Sequence, residues 1–434
     1  MKIAVLGSKS LPAFAGADRV AENILLHLPA GAGHRYHIYV VRTPAQPRPF
    51  DFAPHIRVIP IPAMKGKHSR ATSFFLLSAL HCALVLRPGL AHAHDSAFGP
   101  FAWILRLLRP GMPLLGTFHG NPYERAKWSS FAKAFLRFSE SAFIRACSAL
   151  TTVARAKVAE VQARSTTPIE FIPNGVNPAP SIPQTLLAEK VGLVPGQYLM
   201  FAAGRMDPTK GLHHLLDAYD QLKPALPLLV VGGFEGHNQD YSEKLLARCR
   251  ATEHVLLVPR LLSQPELFEL VAGAKLFIFP SEIEAMSMML LEVISCGVPV
   301  LASDIPENTE VTGQNYPWLF RSADPAHLAE KISQFLRAGP GPEIAALRER
   351  CARDFNWTSI AARYLALYQR LAPPPPSPPP PPGEAPPQAP PSPRALSAPL
   401  PPPLPCAAGR RRKRLFCPAG TFPTPSRIGI RLPA

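Results

Sequence analysis

The chain has 434 residues, 47% of them apolar, and a formal net charge of +16 at pH 7. This length exceeds that of an ordinary single domain, and the apolar content suffices for two sizeable cores and a tail. The charge indicates an anionic partner: phosphorylated ligands, an anionic membrane surface or nucleic acid. Part of this net charge is concentrated in the C-terminal segment, because the residues from Leu371 onward include eight Lys/Arg and one Asp/Glu.

The cysteines and the apolar segments narrow the class of protein. The seven cysteines are far apart, with no Cys-x-x-Cys pair, which argues against a disulfide framework or a zinc site and indicates a reducing compartment. The first apolar run is too short for a signal peptide. The longest one, Ser73 to Leu86, is interrupted by Ser78 and His81 and falls short of the roughly 18 residues of a membrane-spanning helix. We expect a soluble intracellular protein.

The N-terminal part, residues 1–175, alternates short apolar strands with helical patterns. Such alternation predicts a parallel, doubly wound sheet. The predicted strands are Ile3–Leu6, His37–Val41, Ile56–Ile59, Leu90–Ala93, Pro113–Thr117 and Leu150–Val153. The predicted helices include Ala17–Leu28, Ala71–Leu86, Phe101–Leu108 and Phe131–Arg145.

A second alternating series follows an irregular, Pro-rich linker at residues 176–196. Its predicted strands are Leu199–Ala203, Leu228–Val231, Val255–Val258, Leu276–Phe279 and Val298–Ala302. We expect a second Rossmann-like domain over residues 197–355. A last helix, residues 356–371, is expected to cross back to the N-terminal domain. The predicted fold class is α/β, with two Rossmann-like doubly wound parallel-sheet domains.

Residues 372–434 form a tail that carries 23 of the 54 prolines. Such a composition cannot build a packed core, so we expect a disordered Pro-rich segment. The basic run Gly409–Arg414 is typical of nucleic-acid, lipid or nuclear-targeting patches. Without interleaved aromatics, we interpret it as solvated and dispensable, and nucleic acid is not an expected partner. The abrupt change in composition also fits a non-homologous extension.

The strongest chemical signal follows the predicted strand Leu276–Phe279. Glu284 stands in the loop after it, Ser287 is a suitable helix N-cap, and Met288 begins a short helix. The helix start offers free backbone N–H groups and the positive end of its dipole, which suit phosphate. Glu292 lies in the second turn, where its carboxylate could accept hydrogen bonds from ribose hydroxyls. An isolated pair of glutamates would more often be a solvated surface pair.

A second signal follows the strand Leu199–Ala203. Arg205 stands at the strand end, and Asp207-Pro208-Thr209-Lys210 opens the next helix. Because ligands of open parallel sheets bind outside the carboxyl ends of the strands, Arg205 and Lys210 are expected to face one crevice. Two cations there would stabilise a departing diphosphate. Taken alone, the cluster could equally be a surface ion-pair group.

Together these motifs resemble family 4 of the glycosyltransferases, of the GT-B fold, over about residues 1–371. The resemblance rests on Glu284 and Glu292 at their spacing, on the Cys296–Asp304 segment that follows, and on Gly204-Arg205 with Lys210-Gly211 upstream. It implies that Arg205 and Lys210 bind the donor diphosphate. It also implies that Glu292 binds the ribose and that Glu284 faces the transferred sugar.

The N-terminal half adds two segments to the resemblance. The first loop, with Gly16, is similar to the family's loop near the donor phosphates, although Ala17 replaces a second glycine and would be strained at positive φ. His119 lies in a His-Gly segment that in the family contacts the donor sugar. His92 and His94 share a strand face, but no third ligand is evident, so we expect no metal there.

The resemblance further implies a retaining reaction without cofactor or metal, since no Asp-x-Asp motif occurs. The expected catalytic residues are Glu284, His119, Arg205 and Lys210. The expected donor-binding residues are Gly16, Arg205, Lys210, Glu284, Ser287, Met288 and Glu292. The expected partners are a nucleotide-diphosphate sugar and a glycan or lipid-linked acceptor, in cell-envelope polysaccharide or glycolipid synthesis.

A membrane surface is a further candidate partner. The segment Met64–Arg70 and the helix Phe131–Arg145 both mix basic and apolar residues, a pattern that suits anionic lipid as well as helices covering a sheet. We expect a cytoplasmic protein, with peripheral contact to the inner face of the plasma membrane as a hypothesis. The alternatives are another enzyme of this fold such as a nucleotide-sugar epimerase, a non-catalytic sugar-nucleotide-binding protein, and, least supported, a dinucleotide oxidoreductase.

Overall fold

The computed structural model describes residues 1–13, 16–66, 69–120, 129–179, 192–234 and 239–372. All of these residues belong to one compact unit, Met1–Pro374. The predicted tail with its basic run, the middle of the linker and the segment directly after Gly120 lie outside the described residues.

The N-terminal sheet has eight strands in the order β3-β4-β2-β1-β5-β6-β7-β8. Their bounds are β1 Lys2–Leu6, β2 Arg35–Val41, β3 Phe50–Ala53, β4 Ile56–Ile61, β5 Leu90–Ala93, β6 Leu114–Phe118, β7 Ala149–Thr152 and β8 Ile169–Phe171. Every neighbouring pair is parallel except β3 with β4, which places one antiparallel strand at the sheet edge. The chain changes winding direction between β1 and β5.

The second sheet has six strands in the order β11-β10-β9-β12-β13-β14, all parallel. Their bounds are β9 Leu199–Ala203, β10 Leu228–Gly232, β11 Val255–Val258, β12 Leu276–Phe279, β13 Val300–Ser303 and β14 Leu319–Phe320. This is the doubly wound order of a dinucleotide-type fold, whose switch point lies between the first and fourth strands, β9 and β12. The predicted fold class of two doubly wound parallel sheets is confirmed.

Helices connect the strands and cover the two sheets. Their bounds are α1 Ala17–His27, α2 Ser69–His81, α3 Gly99–Leu108, α4 Ser130–Ala146, α5 Ala156–Gln162, α6 Leu212–Leu222, α7 Gln239–Ala251, α8 Gln264–Ala272, α9 Met288–Ser295, α10 Pro306–Thr312, α11 Pro325–Ala338, α12 Pro342–Asp354 and α13 Trp357–Leu371. A π-helical turn, Cys82–Leu86, extends α2. A 3-10 turn, Pro208–Lys210, precedes α6.

The last helix, α13, packs on the N-terminal sheet although it follows the second sheet in sequence. Its aromatic side chains Trp357, Tyr364 and Tyr368 are at most 1% exposed and join the core formed by β1, β2 and α1. Tyr36 of β2 lies 6.1 Å from Tyr368, ring centroid to centroid. Because burial of each large apolar side chain contributes about 1.5–3 kcal/mol, this helix fastens the end of the compact unit to its beginning.

Three strands escaped the sequence prediction, each for a physical reason. The edge strand β3 alternates weakly and pairs antiparallel with β4 only, so no buried run marks it. β8 and β14 have three and two residues, too few for a periodic pattern. The Asp207–Lys210 segment was predicted to open a helix, but it forms the 3-10 turn, and α6 begins at Leu212.

The helix formed by α2 and its π turn is longer than the apolar stretch that the sequence indicated. Over Ser69–Leu86 it has 18 residues and a mean hydropathy of 1.4, sufficient by length and composition to cross a membrane. Phe74, Phe75 and Ala79 nevertheless pack into the core of the N-terminal sheet. Leu84 and Val85 at its end are 53% and 67% exposed. The helix is therefore half core-facing and half exposed.

The two faces of α4 give a direct test of the packing. Phe143 is fully buried and meets Phe118 of β6 edge to face at 5.5 Å between ring centroids, whereas Phe138 is 61% exposed. Phe143→Ala should lower the free energy of unfolding by about 3–5 kcal/mol, because a cavity remains in the core. Phe138→Ala on the same helix should change it by less than about 1 kcal/mol. Urea denaturation measures both, and equal effects would contradict the described packing.

Candidate functional site

Two strand ends meet at the switch point of the second sheet. After β9 the chain reaches Arg205, and Asp207 caps the 3-10 turn by accepting a hydrogen bond from the Thr209 amide at 3.2 Å. Gly211 follows with φ +70°, and a Cβ there would lie 1.9 Å from the carbonyl oxygen of Pro280, directly after β12. Only glycine allows both this backbone conformation and this close approach. The contact brings Lys210 against the loop that carries Glu284.

Lys210 and Glu284 form an ion pair across the crevice, with Nζ 2.5 Å from Oε1. The glutamate side chain is 9% exposed and the lysine 27%. Arg205, at the end of β9, is exposed, and within the described part of the chain its guanidinium makes no ion pair. Ser287 caps α9 by accepting from the Leu290 amide at 3.4 Å, which confirms the predicted helix start at Met288.

Glu292 lies one turn into α9 and is buried. Arg19 of α1 reaches this carboxylate from the N-terminal half and forms a bidentate ion pair, in which Nη2 contacts Oε1 and Nη1 lies 3.3 Å from Oε2. Gln264, the first residue of α8, donates to the same carboxylate at 3.3 Å. The predicted ribose-binding carboxylate therefore stands where the two halves meet, held by a cation from the opposite half.

Two further contacts join the halves around the Glu284 loop. Gly120, with φ +93°, faces this loop, and a Cβ on it would lie 3.1 Å from the Cβ of Ala285. Asn174 donates from its side chain to the carbonyl oxygen of Met286 at 2.8 Å. His119 precedes Gly120 directly, so the predicted histidine and Glu284 lie on segments that touch each other.

His119, which is partly exposed, adjoins two buried imidazoles, those of His94 and His92. Its Nε2 lies 3.1 Å from Nδ1 of His94, and the rings of His94 and His92 are 3.9 Å apart between centroids. Burial lowers the pKa of His119 to about 4 and that of His92 to about 3, and it holds the pKa of His94 well below its usual range. All three are neutral at pH 7, so His119 can hydrogen-bond a hydroxyl but carries no charge.

That His92 and His94 hold no metal stays a prediction, whereas the hydrogen bonds of His92 are visible in the structure. Nδ1 of His92 contacts the hydroxyl of Tyr368 at 2.8 Å, and Nε2 contacts Oγ1 of Thr117 at 2.7 Å. Both ring nitrogens of His92 are thus engaged in the core. Its role is to tie α13 to the sheet.

The first loop does not show the backbone strain that the sequence suggested for Ala17. Gly16 takes φ +61° at the N-cap of α1, and Ala17 begins the helix; among the described residues with positive φ, Ala17 does not appear. The alanine is accommodated because the left-handed position falls on Gly16. Gly7, after β1, takes φ +97°, and a Cβ added to it would lie 3.2 Å from the amide nitrogen of Asp95. The segments after β1 and β5 therefore lie close together at the switch point of the first sheet.

Four residues of this region were not singled out in the sequence: Asp18, Arg19, His94 as a partner of His119, and Asn174. Burial raises the pKa of Asp18 to about 6, partly offset by Lys9, so a protonatable carboxyl stands in the first turn of α1. The signal for Arg19 was its position one turn after a loop glycine, on the helix face that meets α9. Pairings over such sequence distances have no local pattern and become visible only in the fold.

The arrangement gathers cations, carboxylates, helix N-termini and a neutral imidazole at one crevice. Lys210, Arg205 and the α9 start suit a diphosphate, while Glu292 and Glu284 suit hydroxyl groups. These features define a two-domain enzyme of the GT-B type, in which paired doubly wound sheets face a shared crevice.

Comparison with known proteins assigns the family. The model described as Glycosyltransferase Family 4 matches residues 14–180, and that described as Glycosyl transferases group 1 matches residues 184–353. The chain belongs to the family 4-like glycosyltransferases.

Individual relatives are distant. The chain is 25% identical over 355 residues to the D-inositol 3-phosphate glycosyltransferase of Xylanimonas cellulosilytica, covering 75% of this chain and 84% of that enzyme. It is 25% identical over 224 residues to the alpha-maltose-1-phosphate synthase of Mycolicibacterium smegmatis, covering 47% of this chain and 57% of that enzyme. The crystal structure of Anabaena HepE in complex with UDP and glucose is 18% identical, with a TM-score of 0.68, covering 85% of this chain and all of that one.

The buried imidazoles predict a pH dependence of stability. With a pKa of about 3, folded His92 stays neutral where the unfolded chain binds a proton, below about pH 6.5. Stability is therefore lost as the pH falls below 6.5, at a cost of about 2 kcal/mol between pH 7 and 5. Urea denaturation gives the free energy of unfolding at each pH. Between pH 7 and 5 it should fall by about 2 kcal/mol less in His92→Gln than in the parent chain. His254→Gln, at a side chain 62% exposed, controls for loss of an imidazole, and an unaltered slope in His92→Gln would contradict the account.

Proposed function

We propose that this protein transfers a sugar from a nucleotide-diphosphate donor to a glycan or lipid-linked acceptor, with retention of anomeric configuration. The observation that carries the proposal is the placement of Lys210, Glu284 and Glu292 around one switch point, facing Arg19 and His119 of the opposite half. The likeness to a protein crystallised with UDP and glucose supports a nucleotide-linked sugar as donor. The pathway proposed is synthesis of cell-envelope polysaccharide or glycolipid.

The donor is proposed to lie along the crevice at the end of β9 and β12. Arg205 and Lys210 bind its diphosphate, joined by the backbone N–H groups at Ser287 and Met288 and by the α1 start at Gly16. Glu292 accepts hydrogen bonds from the ribose hydroxyls. Ribose hydroxyls at Glu292 would share or replace its contacts with Arg19, which frees that guanidinium for the nearby phosphates.

Bond breaking is proposed to occur on the face where the acceptor attacks. The bond between the sugar anomeric carbon and the diphosphate oxygen breaks while the acceptor oxygen forms its bond on the same side. The acceptor proton passes to the departing phosphate oxygen. Arg205 and Lys210 stabilise the charge that builds on the diphosphate, and Glu284 with neutral His119 hold sugar hydroxyls in position. No metal is required for this step.

The acceptor side is proposed to rest on an anionic membrane. Phe131, Phe135 and Phe138 recur at helical spacing on α4 and are 84%, 49% and 61% exposed. Lys133 and Arg137 lie on the same helix, but by helical spacing they project from other sides than this exposed aromatic stripe. Exposed aromatic rings on a helix that also carries basic residues suit the interface of an anionic bilayer. The proposed location is cytoplasmic, peripheral on the inner face of the plasma membrane.

A second acceptor class is favoured by the relatives' names. One synthesises maltose-1-phosphate and another glycosylates inositol 3-phosphate, so a soluble phosphorylated sugar or polyol is the competing candidate. Transfer assays with donor and either soluble phosphorylated sugars or lipid acceptors in vesicles separate the two. An epimerase would interconvert donor sugars without any acceptor, and a non-catalytic binding protein would bind donor without turnover.

The identity of the donor is open to a direct screen. Thermal unfolding in the presence of UDP-, GDP-, ADP- and TDP-linked sugars should show stabilisation by one base class, since a ligand that binds only the folded state raises its melting temperature. That donor is then used in the transfer assays. No stabilisation by any sugar nucleotide would contradict the proposed function.

The diphosphate cations give the sharpest mutational test. Arg205→Ala and Lys210→Ala should each lower turnover by about ten- to a thousandfold, because a charge that stabilises the leaving group is lost. Arg250→Ala and Lys244→Ala, at exposed positions of α7, remove the same charges away from the crevice and should leave turnover unchanged. Steady-state kinetics with the identified donor measure all four. Unchanged turnover in Arg205→Ala and Lys210→Ala would refute their roles.

Membrane contact is tested by flotation with anionic and neutral liposomes. The triple variant Phe131→Ser, Phe135→Ser and Phe138→Ser should lose most binding to anionic liposomes, since three interfacial rings are removed. A matched variant, Val194→Ser with Leu261→Ser, alters apolar side chains that are 63% and 45% exposed in the other half and should bind like the parent chain. Absence of parental binding at low salt, or equal binding by the triple variant, would rule out this surface.

A further inference from the structure

Two histidines and a glutamate meet beside the donor crevice. His213 and His214 follow Gly211 in the first turn of α6, and Glu282 lies in the loop after β12. Nε2 of His214 is 3.2 Å from Oε1 of Glu282, and Nε2 of His213 is 3.9 Å from the same oxygen. One ligand atom from each of the three residues lies within 4.8 Å of the others. Neither the donor-binding nor the catalytic proposal uses any of them.

The spacing of these atoms fits a tetrahedral metal ion. Zinc–nitrogen and zinc–oxygen bonds of about 2.0–2.2 Å place neighbouring ligand atoms about 3.3 Å apart. The His214–Glu282 distance already has this value, and the His213–Glu282 distance exceeds it by well under 1 Å. The side chains are 17% to 34% exposed. Small torsional changes would complete the geometry, and the fourth position would face solvent.

The backbone around the cluster is fixed independently of any ion. The amide of Glu282 donates to the carbonyl oxygen of Thr209 at 2.8 Å, and the Gly211 contact with Pro280 holds the same two segments together. The hydroxyl of Tyr241 lies 3.0 Å from Nδ1 of His213. A partner on the second ring nitrogen orients a ligating imidazole and sets which nitrogen faces the metal. Because Tyr241 occupies Nδ1 of His213, the other ring nitrogen, Nε2, faces Glu282.

We propose that His213, His214 and Glu282 bind a divalent transition-metal ion of the Zn²⁺ class. Two imidazoles with one carboxylate suit such ions, whereas Mg²⁺ and Ca²⁺ favour ligand sets made of oxygen. The ion would join the start of α6, which follows Lys210, to the loop that carries Glu284 two residues after Glu282. Its role is to add a link between the side chains of these two segments, while Arg205 and Lys210 remain the cations that contact the diphosphate.

The test is metal binding by the full-length chain after dialysis against a chelator. Titration with Zn²⁺, monitored by calorimetry, should show one binding site, and saturation of that site should raise the melting temperature in thermal unfolding. Titration with Co²⁺ should give visible bands without the near-ultraviolet thiolate band, which separates this site from the cysteines. Glu282→Gln should weaken the affinity by at least about tenfold. His213→Ala combined with His214→Ala should abolish the site and its thermal shift.

His254→Ala is the matched control, since His254 pairs with Glu253 at 3.4 Å on an exposed surface and its loss should leave binding unchanged. Circular dichroism and metal-free melting curves check that each variant folds, as expected for side chains that are partly exposed. The proposal is overturned if the double histidine variant binds Zn²⁺ with the stoichiometry and affinity of the parent chain. It is also overturned if the parent chain binds no Zn²⁺ or gives only a thiolate-type Co²⁺ spectrum. Each readout is independent of sugar transfer.

Discussion

The close approach of Gly211 to Pro280 is the constraint on which the site depends. It joins the turn after β9 to the strand end of β12, and a side chain at residue 211 would collide with the carbonyl oxygen. With the two segments in contact, Lys210 reaches Glu284 at 2.5 Å, and α9 begins directly behind them. A parallel sheet offers this arrangement at its switch point, where consecutive connections leave to opposite sides.

The N-terminal half contributes groups that close the crevice from the other side. Arg19 reaches Glu292, and Gly120 brings the His119 segment onto the Glu284 loop. These contacts depend on α13, whose buried aromatic residues connect the end of the described chain to β1 and β2. His92 extends that connection by a hydrogen bond to Tyr368. The crevice is thus formed by side chains from both ends of the sequence, positioned by cores that lie behind them.

Much of the fold was predictable from the sequence because parallel strands buried on both faces appear as apolar runs. Strands such as β5 and β9 were predicted at their observed bounds, and α13 to within a residue. The short strands β8 and β14 were missed because they carry no periodicity. Ser287 was predictable as a cap, since the capping of α9 is a local interaction. Glu284, Lys210 and Glu292 could be grouped by motif and resemblance, but the ion pair between Lys210 and Glu284 and the contact of Arg19 with Glu292 could not.

The unpredicted features share one cause: they join residues far apart in the chain. Arg19 with Glu292, His94 with His119, and the histidine–glutamate cluster of α6 each depend on how loops from different strands approach. The altered pKa values of Asp18 and His119 follow from burial, which the sequence alone does not give.

The most direct measurement is a crystal structure of the chain with a bound nucleotide-diphosphate sugar. The account predicts the diphosphate within hydrogen-bonding distance of Arg205 and Lys210, with the ribose on Glu292 in place of some contacts with Arg19. The sugar should lie between Glu284 and His119. A nucleotide bound at another surface, or bound in this crevice without contact to Lys210 or Glu292, would contradict the account.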